Sequence, residues 1–409
     1  MNKAKRGSSA QSLRLRVTAA AERILRSGHP WLFGDSILQQ NREGIIGEMA
    51  VIYDRKDKLL GLGLFDPCSP IRVRLLHTGR AQKLDSAWWI ERLESALKRR
   101  EGLFDANTTG YRCIHGENDR WPGLVLDRYG ATLGLKLYTA AWLPMLEQLT
   151  ALFVERLAPA GIVLRLSRNI RELSGSRFRK KDGDILYGNT LGETVIFLES
   201  GLRFEANVIH GQKTGFFLDQ RENRRQVEIL APGREVLNAF SFSGGFSVYA
   251  ARGGASSVTD LDISSHALAG SKRNFDLNRS VSRIRTCPHN LLLGDAFKWL
   301  NENSGLYFDM IVLDPPSLAK RETERTGALR GYYALASSAL KHLRPGGILV
   351  ACSCSAHVTA EQFFGTVREA ASDFGKGFLE LQTTHHPPDH AATFKEAAYL
   401  KAIFLAVKG

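Results

Sequence analysis

The sequence has no apolar run close to the ~18 residues that a membrane-spanning helix requires, and it has no internal repeat or low-complexity block. Its start, Met1 to Arg16, is basic but lacks both the apolar core and the small-residue cleavage site of a secretory signal. These absences argue against a membrane-spanning, repeat or secreted protein. We therefore expect a cytoplasmic location.

Cysteine is scarce, and its five residues are scattered along the chain. An odd number without regular spacing argues against a disulfide framework. The absence of a C-x-x-C pair argues against zinc and iron–sulfur sites, so we expect no metal. A functional cysteine here would act through its thiolate. The five are Cys68, Cys113, Cys287, Cys352 and Cys354.

Acidic residues are fewer than basic ones. The 42 Asp and Glu residues stand against 55 Lys and Arg residues, which gives a formal net charge of +13. This excess favours a polyanionic partner such as nucleic acid. Residues 177–181 and 221–225 are basic segments that could contact phosphates, although a solvated charged face explains such runs equally well.

The 409 residues exceed the ~100–200 of one ordinary domain, and their patterns change twice. Residues 13–80 contain short apolar runs, with a strand, a turn at Asp54 to Lys58 and a second strand ended by Asp66-Pro67. They predict a small β-barrel or sandwich. Residues 85–199 combine an amphipathic helix from Asp85 to Phe104 with further strands, which predicts a central α+β domain.

Strands and helices alternate in the third predicted domain, residues 200–409. The predicted strands are "EVLNAF", "SVTDLD", "FDMIVLD", "GILVACS" and "AYLKAIFLAV", with helical segments between the first four. This alternation predicts an α/β, Rossmann-like domain with a parallel sheet. Ligands of such sheets bind at the carboxyl ends of the strands, so candidate site residues are sought there.

The ends of the first two predicted strands, and a short apolar run "LLLGDAF" after them, carry residues suited to a nucleotide-like ligand. The segment "NAFSFSGGF", residues 238–246, places two glycines before a helix, where a ligand can approach the backbone, although a plain tight turn has the same pattern. Asp262 ends the next strand and could accept both hydroxyls of a ribose, whereas Asp260 is expected to be a solvated neighbour. Asp295 could accept from an adenine amino group or cap a helix.

The ends of the third and fourth predicted strands carry Asp314 and Cys354. The two prolines of "DPPS" fix the backbone after Asp314, so its carboxylate could orient a planar base. Cys354 leaves its strand between two serines, whereas Cys352 lies in the apolar run and is expected to be a packing residue. Methylation at C5 of cytosine needs a nucleophile at C6 and a group that interacts at N3, and Cys354 and Asp314 match these two requirements.

These residues resemble the bacterial 23S ribosomal RNA cytosine-C5 methyltransferases with an N-terminal PUA domain. The resemblance covers nearly the whole chain after a short leader. It is carried by "ERILRSGHPWLFGDSI", "YRCIHGENDRWPGLVLDRYG", "HGQKTGFFLDQRENR" and "VLNAFSFSGGF", and by "DPP" and "SCS" in the family's order and spacing. It implies a class I S-adenosylmethionine-dependent fold, an RNA-binding PUA-like module and a large-subunit ribosomal RNA substrate.

The resemblance also implies site residues. Cys354 matches the family's nucleophile and Asp314 its motif aspartate, which would also contact the cofactor. S-adenosylmethionine would be lined by Asn238, Phe240, Gly244, Asp262 and Asp295, with Gln212, Lys213, Gly215 and Phe216 closing the site from the preceding segment.

Two positions depart from the family pattern. Ser317 stands where the family usually has Lys after Asp-Pro-Pro, and Ala356 stands where Gly commonly follows "SCS". Lys320 is a candidate to replace the missing charge. Both departures leave the nucleophile in place but leave the target nucleotide open.

Three alternatives remain open from the sequence. A related class with the same cofactor segment methylates guanine nitrogen without a cysteine, but it tends to have asparagine-rich sequence in place of "SCS". A catalytically inactive RNA-binding assembly factor could keep the fold, and a small-molecule methyltransferase could share the sheet. The oligomeric state also stays open, with a homodimer as one option.

Overall fold

The computed structural model describes residues 12–189, 192–303 and 305–408. By contacts between residues the chain forms two compact units. Among the described residues, unit 1 comprises 12–102, 112–195 and 207–215, and unit 2 comprises 103–111, 196–206 and 216–408. Within the described ranges, no helix is long and apolar enough to cross a membrane.

The first part of unit 1 is a six-stranded sheet with its own apolar core. The predicted strand, turn and strand are confirmed: the Asp54 carboxylate closes the turn by accepting hydrogen bonds of 2.8 Å from the backbone N–H groups of Lys56 and Lys58. The strand order is β2-β6-β5-β4-β1-β3, with β1 and β4 parallel. The elements are β1 Leu13–Val17, α1 Ala19–Arg26, β2 Trp31–Phe33, β3 Ile37–Gln40, β4 Met49–Tyr53, β5 Leu59–Phe65 and β6 Ile71–Thr78.

The second part of unit 1 contains a five-stranded sheet. The predicted amphipathic helix is present and Asp85 caps it, but it ends at Lys98, before Phe104. Two residues beyond its end, the Arg100 side chain is buried and its guanidinium bonds the Asp119 carboxylate. The strand order is β11-β10-β9-β8-β7. The elements are α2 Ser86–Lys98, β7 Gly110–His115, β8 Leu124–Tyr129, β9 Thr132–Leu137, α3 Leu146–Leu157, β10 Gly161–Leu166, α4 Arg171–Phe178 and β11 Ile185–Tyr187.

Unit 2 is built on a seven-stranded sheet that follows a two-stranded hairpin. All five predicted strands are present. The sheet has two more strands, β16 and β19, which were not predicted because they mix polar and apolar residues. The hairpin is β12 Thr194–Glu199 and β13 Leu202–Asn207. The sheet strands are β14 Glu235–Ala239, β15 Ser257–Asp262, β16 His289–Leu293, β17 Phe308–Leu313, β18 Leu343–Ser353, β19 Phe378–Thr384 and β20 Lys401–Val407.

The order of this sheet, β16-β15-β14-β17-β18-β20-β19, determines where a ligand can bind. The first five strands are parallel, and β20 is antiparallel to both of its neighbours. From β14 the chain first adds strands on one side of the sheet and then, with β17, on the other, and this change in strand order leaves a crevice at the carboxyl ends of β14 and β17. The helices are α5 Arg221–Leu230, α6 Gly245–Gly253, α7 Ser265–Leu277, α8 Ser282–Thr286, α9 Ala296–Glu302, α10 Arg325–Lys341 and α11 Ala360–Asp373.

Candidate active site

The loop between β14 and α6 has an unusual backbone. Phe240 and Phe242 adopt left-handed conformations, with φ of 61° and 48°, and Gly244 follows with φ of 71°. A Cβ atom on Gly244 would lie 2.0 Å from Ser271 Oγ, so only glycine fits there. Two left-handed residues that are not glycine, so close together, are costly and cluster at functional sites. The predicted glycine turn is therefore a strained loop at the crevice.

A buried hydrogen-bond network supports this loop from below, and its centre is Asp260. The Asp260 carboxylate accepts from Asn238 Nδ2 at 2.9 Å, from the Ser247 and Ser271 hydroxyls, and lies 2.8 Å from His289 Nε2. The expectation that Asp260 is a solvated neighbour was wrong, because its side chain is completely buried. It stabilises the strand ends and the loop.

Three buried polar atoms near this loop have no hydrogen-bond partner within the described part of the chain: Asn238 Oδ1, Ser241 Oγ and Ser243 Oγ. Most buried polar groups are paired, so an unpaired cluster calls for a ligand or water. These atoms lie on the segment that the sequence predicted for a cofactor. They fit a polar small molecule at the carboxyl end of β14.

Asp262 lies at the end of β15, as predicted. Its carboxylate accepts from the backbone N–H groups of Phe242 at 2.8 Å and Ser264 at 2.9 Å. Each carboxylate oxygen has two lone pairs, so both oxygens keep capacity for ribose hydroxyls. The Asp262 carbonyl accepts from Gly294 N at 3.0 Å, which aligns this strand end with the one before Asp295.

Asp295 is exposed and caps helix α9, accepting from Lys298 N at 3.0 Å. Its capping role, one of the two alternatives, is therefore present, and the adenine contact stays a prediction. Phe297 in the same helix packs edge to face on Phe240, with ring centroids 5.6 Å apart. This pair brings the start of α9 next to the strained loop.

The segment expected to close the site is divided between the two units. Gln212 is exposed. Lys213 has a left-handed backbone conformation, with φ of 52°, and its carbonyl oxygen accepts a hydrogen bond of 3.1 Å from Lys136 Nζ. Gly215 also has a positive φ, of 140°. These three residues belong to unit 1. Phe216 belongs to unit 2 and is buried against Phe197 and Phe204, so it packs in an aromatic core. A cofactor contact of these four residues stays a prediction.

Asp314 lies directly after β17 and is fixed by a residue that the sequence analysis missed. Gln220 Nε2 donates to Asp314 Oδ1 at 2.9 Å, and Gln220 Oε1 accepts from Asn223 Nδ2 at 2.6 Å. Gln220 is buried at the end of the short 3-10 helix Leu218–Gln220. The run of polar residues in "DQREN" was the available signal, since a buried helix start needs polar partners.

The two cysteines at the end of β18 have different environments. Cys352 is buried, and burial together with the nearby Asp314 carboxylate raises the pKa of its thiol well above the usual value. Cys354 is partly exposed, and its Sγ lies 3.9 Å from the carbonyl oxygen of Pro315. The structure thus brings Cys354 beside the Asp-Pro-Pro loop, and Cys352 is the packing residue that was expected.

Hydroxyl groups join the Asp-Pro-Pro loop to the Cys354 strand end. The Ser355 hydroxyl is 3.1 Å from the Ser317 hydroxyl and 2.8 Å from the Tyr332 hydroxyl, and it accepts from the backbone N–H groups of Leu318 and Ala319. Ser317, the departure from the family pattern, therefore has a structural partner. No local sequence pattern indicated this pairing.

The basic segment 221–225 does not provide the phosphate contacts that were considered. Arg221 and Arg224 are buried and pair with Asp389 and Glu199, each at 2.7 Å. Only Arg225 of this segment's arginines is exposed, and it bonds Glu222. Their charges are neutralised inside unit 2, so most of this run stabilises the fold. In the other segment, Arg177, Arg179 and Lys181 are exposed.

The sheet order and the loop define the class of protein. Numbered within the sheet, the strands run 3-2-1-4-5-7-6 with the seventh antiparallel, and a strained glycine loop follows the first strand. This is the arrangement of class I methyltransferases, as the resemblance implied.

Comparisons with known proteins agree with this class. A family model described as S-adenosylmethionine-dependent methyltransferase matches residues 111–406, and one described as PUA-like domain matches residues 15–78. A "Ribosomal RNA large subunit methyltransferase" of Deinococcus radiodurans is 55% identical over 97% of this chain and 98% of its own length. A "Ribosomal RNA large subunit methyltransferase I" of Escherichia coli is 33% identical over 95% of this chain and 98% of its own length.

Solved structures show the same fold. A SAM-dependent methyltransferase from Streptococcus mutans superimposes with a TM-score of 0.80 at 24% identity, covering 97% of this chain and all of that one. A methyltransferase solved in complex with SAH superimposes with a TM-score of 0.81 at 24% identity, and it covers the same shares of the two chains. The chain belongs to the S-adenosylmethionine-dependent methyltransferases, in the family of the PUA-containing ribosomal RNA large subunit methyltransferases.

Proposed function

We propose that this enzyme forms 5-methylcytosine in large-subunit ribosomal RNA, with Cys354 as the nucleophile and Asp314 as the group that orients the base. The single observation that carries the proposal is the position of Cys354 Sγ, 3.9 Å from the carbonyl oxygen of Pro315, the residue directly after Asp314. The names of the relatives support ribosomal RNA as the substrate. We also propose that the enzyme acts in the cytoplasm.

The reaction begins at the Cys354 thiolate. It adds to C6 of cytosine, which moves an electron pair to C5 while Asp314 interacts at N3. S-adenosylmethionine, when bound, supplies the methyl group that this electron pair takes up. The C5 proton then leaves to solvent, the bond between sulfur and C6 breaks, and Cys354 is restored as a thiolate.

Gln220 holds the Asp314 carboxylate in one orientation for this step. Without it, the carboxylate of a residue at the end of a strand could rotate about its side-chain bonds. The orientation matters because a catalytic group must lie within hydrogen-bond reach of its target atom.

The cofactor site that we propose in unit 2 follows the strand ends. Asp262 accepts the ribose hydroxyls and Asp295 the adenine amino group. The strained loop with Asn238, Phe240 and Gly244 receives the methionine end, next to Asp314. The unpaired Asn238 and Ser241 oxygens support this assignment. Phe216 supports the site from the aromatic core, and Gln212, Lys213 and Gly215 stay predictions of the family resemblance.

The PUA-like module, residues 15–78, is proposed to bind the RNA. Its sheet has an apolar core of its own. The net charge of +13 favours attraction to phosphate groups.

The product tests this proposal directly. The full-length chain is incubated with methyl-labelled S-adenosylmethionine and either deproteinised ribosomal RNA or large subunits from a strain that lacks the gene. We expect labelled 5-methylcytidine after digestion to nucleosides. Labelled N-methylguanosine would replace the proposal by the guanine-N alternative, and no label despite intact SAH binding would favour an inactive assembly factor.

A further inference from the structure

Lys401, the first residue of β20, is a buried lysine beside the proposed nucleophile. Only 1% of it is exposed. It pairs across the antiparallel strands with Ser353, the residue before Cys354. Its ammonium group donates to the carbonyl oxygens of Ser355, at 2.6 Å, and Val358. It therefore fixes the backbone of the loop that follows Cys354.

This ammonium group has no carboxylate partner within 4.0 Å among the residues that the structure describes. Lysine is almost never fully buried unless it is paired. Two carbonyl dipoles satisfy two of its three N–H groups but do not neutralise its charge. An anion nearby would therefore stabilise it, and the Cys354 thiolate is the anion that the proposed reaction creates.

The electrostatics of the two groups are coupled. Burial lowers the pKa of Lys401 to about 8, and a thiolate at Cys354 acts in the opposite direction. Such coupling is reciprocal, so the ammonium must favour the thiolate to the same extent.

Other titratable groups around the pair carry little charge at neutral pH. Burial raises the pKa of Tyr332 and of Cys352, so both stay protonated. Burial lowers the pKa of His386 to about 4, so it stays neutral. The nearby Asp314 carboxylate raises the pKa of the Cys352 thiol, so the negative charge at this strand end disfavours a thiolate. A positive charge is therefore needed to offset it.

We propose that Lys401 is a positioning residue for Cys354: it holds the loop from Ser355 to Val358 and supplies the positive charge that stabilises the Cys354 thiolate. The same charge stabilises the thiolate again when it leaves C6. This inference rests on the proposed function, because it gives Lys401 a role only if Cys354 reacts as a thiolate.

The test measures the thiolate without RNA. The rate at which iodoacetamide alkylates Cys354 in the full chain is followed against pH by peptide mass spectrometry. In Lys401→Met we expect the pH at which the alkylation rate is half-maximal to rise by about one unit or more. At a pH below the midpoints of both proteins, Cys354 of the variant should therefore be alkylated about tenfold more slowly than in the wild type. Lys401→Arg, which keeps the charge, should stay close to the wild type. Lys341→Met, which removes an exposed lysine of α10, should leave the midpoint unchanged.

If the Lys401→Met variant folds and binds SAH but keeps the wild-type midpoint of Cys354 alkylation, Lys401 has only a structural role and the inference is overturned. If that variant does not fold, Cys354→Ser supplies the reciprocal measurement. The pKa read from the Lys401 Cε signal should then be lower than in the wild type, and an unchanged pKa would overturn the inference. If the alkylation midpoint depends on Lys401 but the enzyme forms no covalent adduct with RNA that contains 5-fluorocytosine, the role of Lys401 stands and only the proposed cytosine chemistry is contradicted.

Discussion

The Ser317 and Ser355 hydroxyls lie 3.1 Å apart and join the loop after Asp314 to the strand end that carries Cys354. The two proposed reacting residues are therefore held by one set of hydrogen bonds, although 40 positions separate them in the chain. Ser355 is completely buried. The departure from lysine at position 317 is accommodated by this pairing.

Ser355→Ala should lower the free energy of unfolding by about 1–3 kcal/mol, because it leaves the N–H groups of Leu318 and Ala319 without their acceptor. Urea unfolding of the full chain measures this. Ser265→Ala, at an exposed position in the first turn of α7, is the control and should change stability by less than about 0.5 kcal/mol. Equal stabilities of the two variants would contradict a supporting role for the hydroxyl network.

Cys354 should form a covalent adduct with RNA that contains 5-fluorocytosine. Fluorine at C5 blocks the elimination that normally releases the enzyme, so a complex that survives denaturation should appear on a gel. Cys354→Ala should abolish the adduct and methyl transfer while SAH binding stays intact.

Cys352→Ala and Cys287→Ser are the matched controls and should retain the adduct. If Cys352→Ala alone removed it, the other thiol would be the nucleophile. If methylation persisted in both Cys354→Ala and Cys352→Ala, the guanine-N alternative would be favoured.

Asp262→Ala should weaken S-adenosylmethionine binding by roughly ten- to hundredfold, because hydrogen bonds to a charged group contribute about 1.5–3 kcal/mol. Isothermal titration calorimetry on the full chain measures this and should give a single site in the wild type. Asp276→Ala, an exposed aspartate of α7, should leave affinity unchanged. An unaltered affinity in Asp262→Ala would show that another residue binds the ribose.

RNA binding should weaken with salt and depend on the PUA-like module. Arg23 and Lys56 are exposed there and form no ion pair among the described residues. Replacing both by alanine should weaken binding several-fold and make the slope of log K against log salt shallower by about one for each phosphate that the variant no longer neutralises. Lys341→Ala is the control, and a wild-type slope in the double variant would argue against RNA binding by these two side chains.

Much of the fold could be predicted from the sequence. The hairpin at Asp54, the five principal strands of unit 2 and the glycine turn follow from local patterns, because apolar periodicity and turn residues act over a few positions. β16 and β19 escaped prediction since edge strands are half exposed and carry mixed residues. The helix α2 was predicted too long, and the local pattern did not show that Arg100, just beyond its end, is buried against the distant Asp119 carboxylate.

By itself, the sequence determined the class of protein and the candidate residues at the strand ends, since the chain must place Asp262, Asp314 and Cys354 where parallel strands stop. Only the tertiary structure decided what surrounds them. It buried Asp260 in a network, paired Arg221 and Arg224 with carboxylates, set Gln220 on Asp314 and brought Lys401 behind the Cys354 loop. Such partners lie far apart in the chain, and burial, which depends on the whole fold, decides whether a charged side chain faces water or another charge.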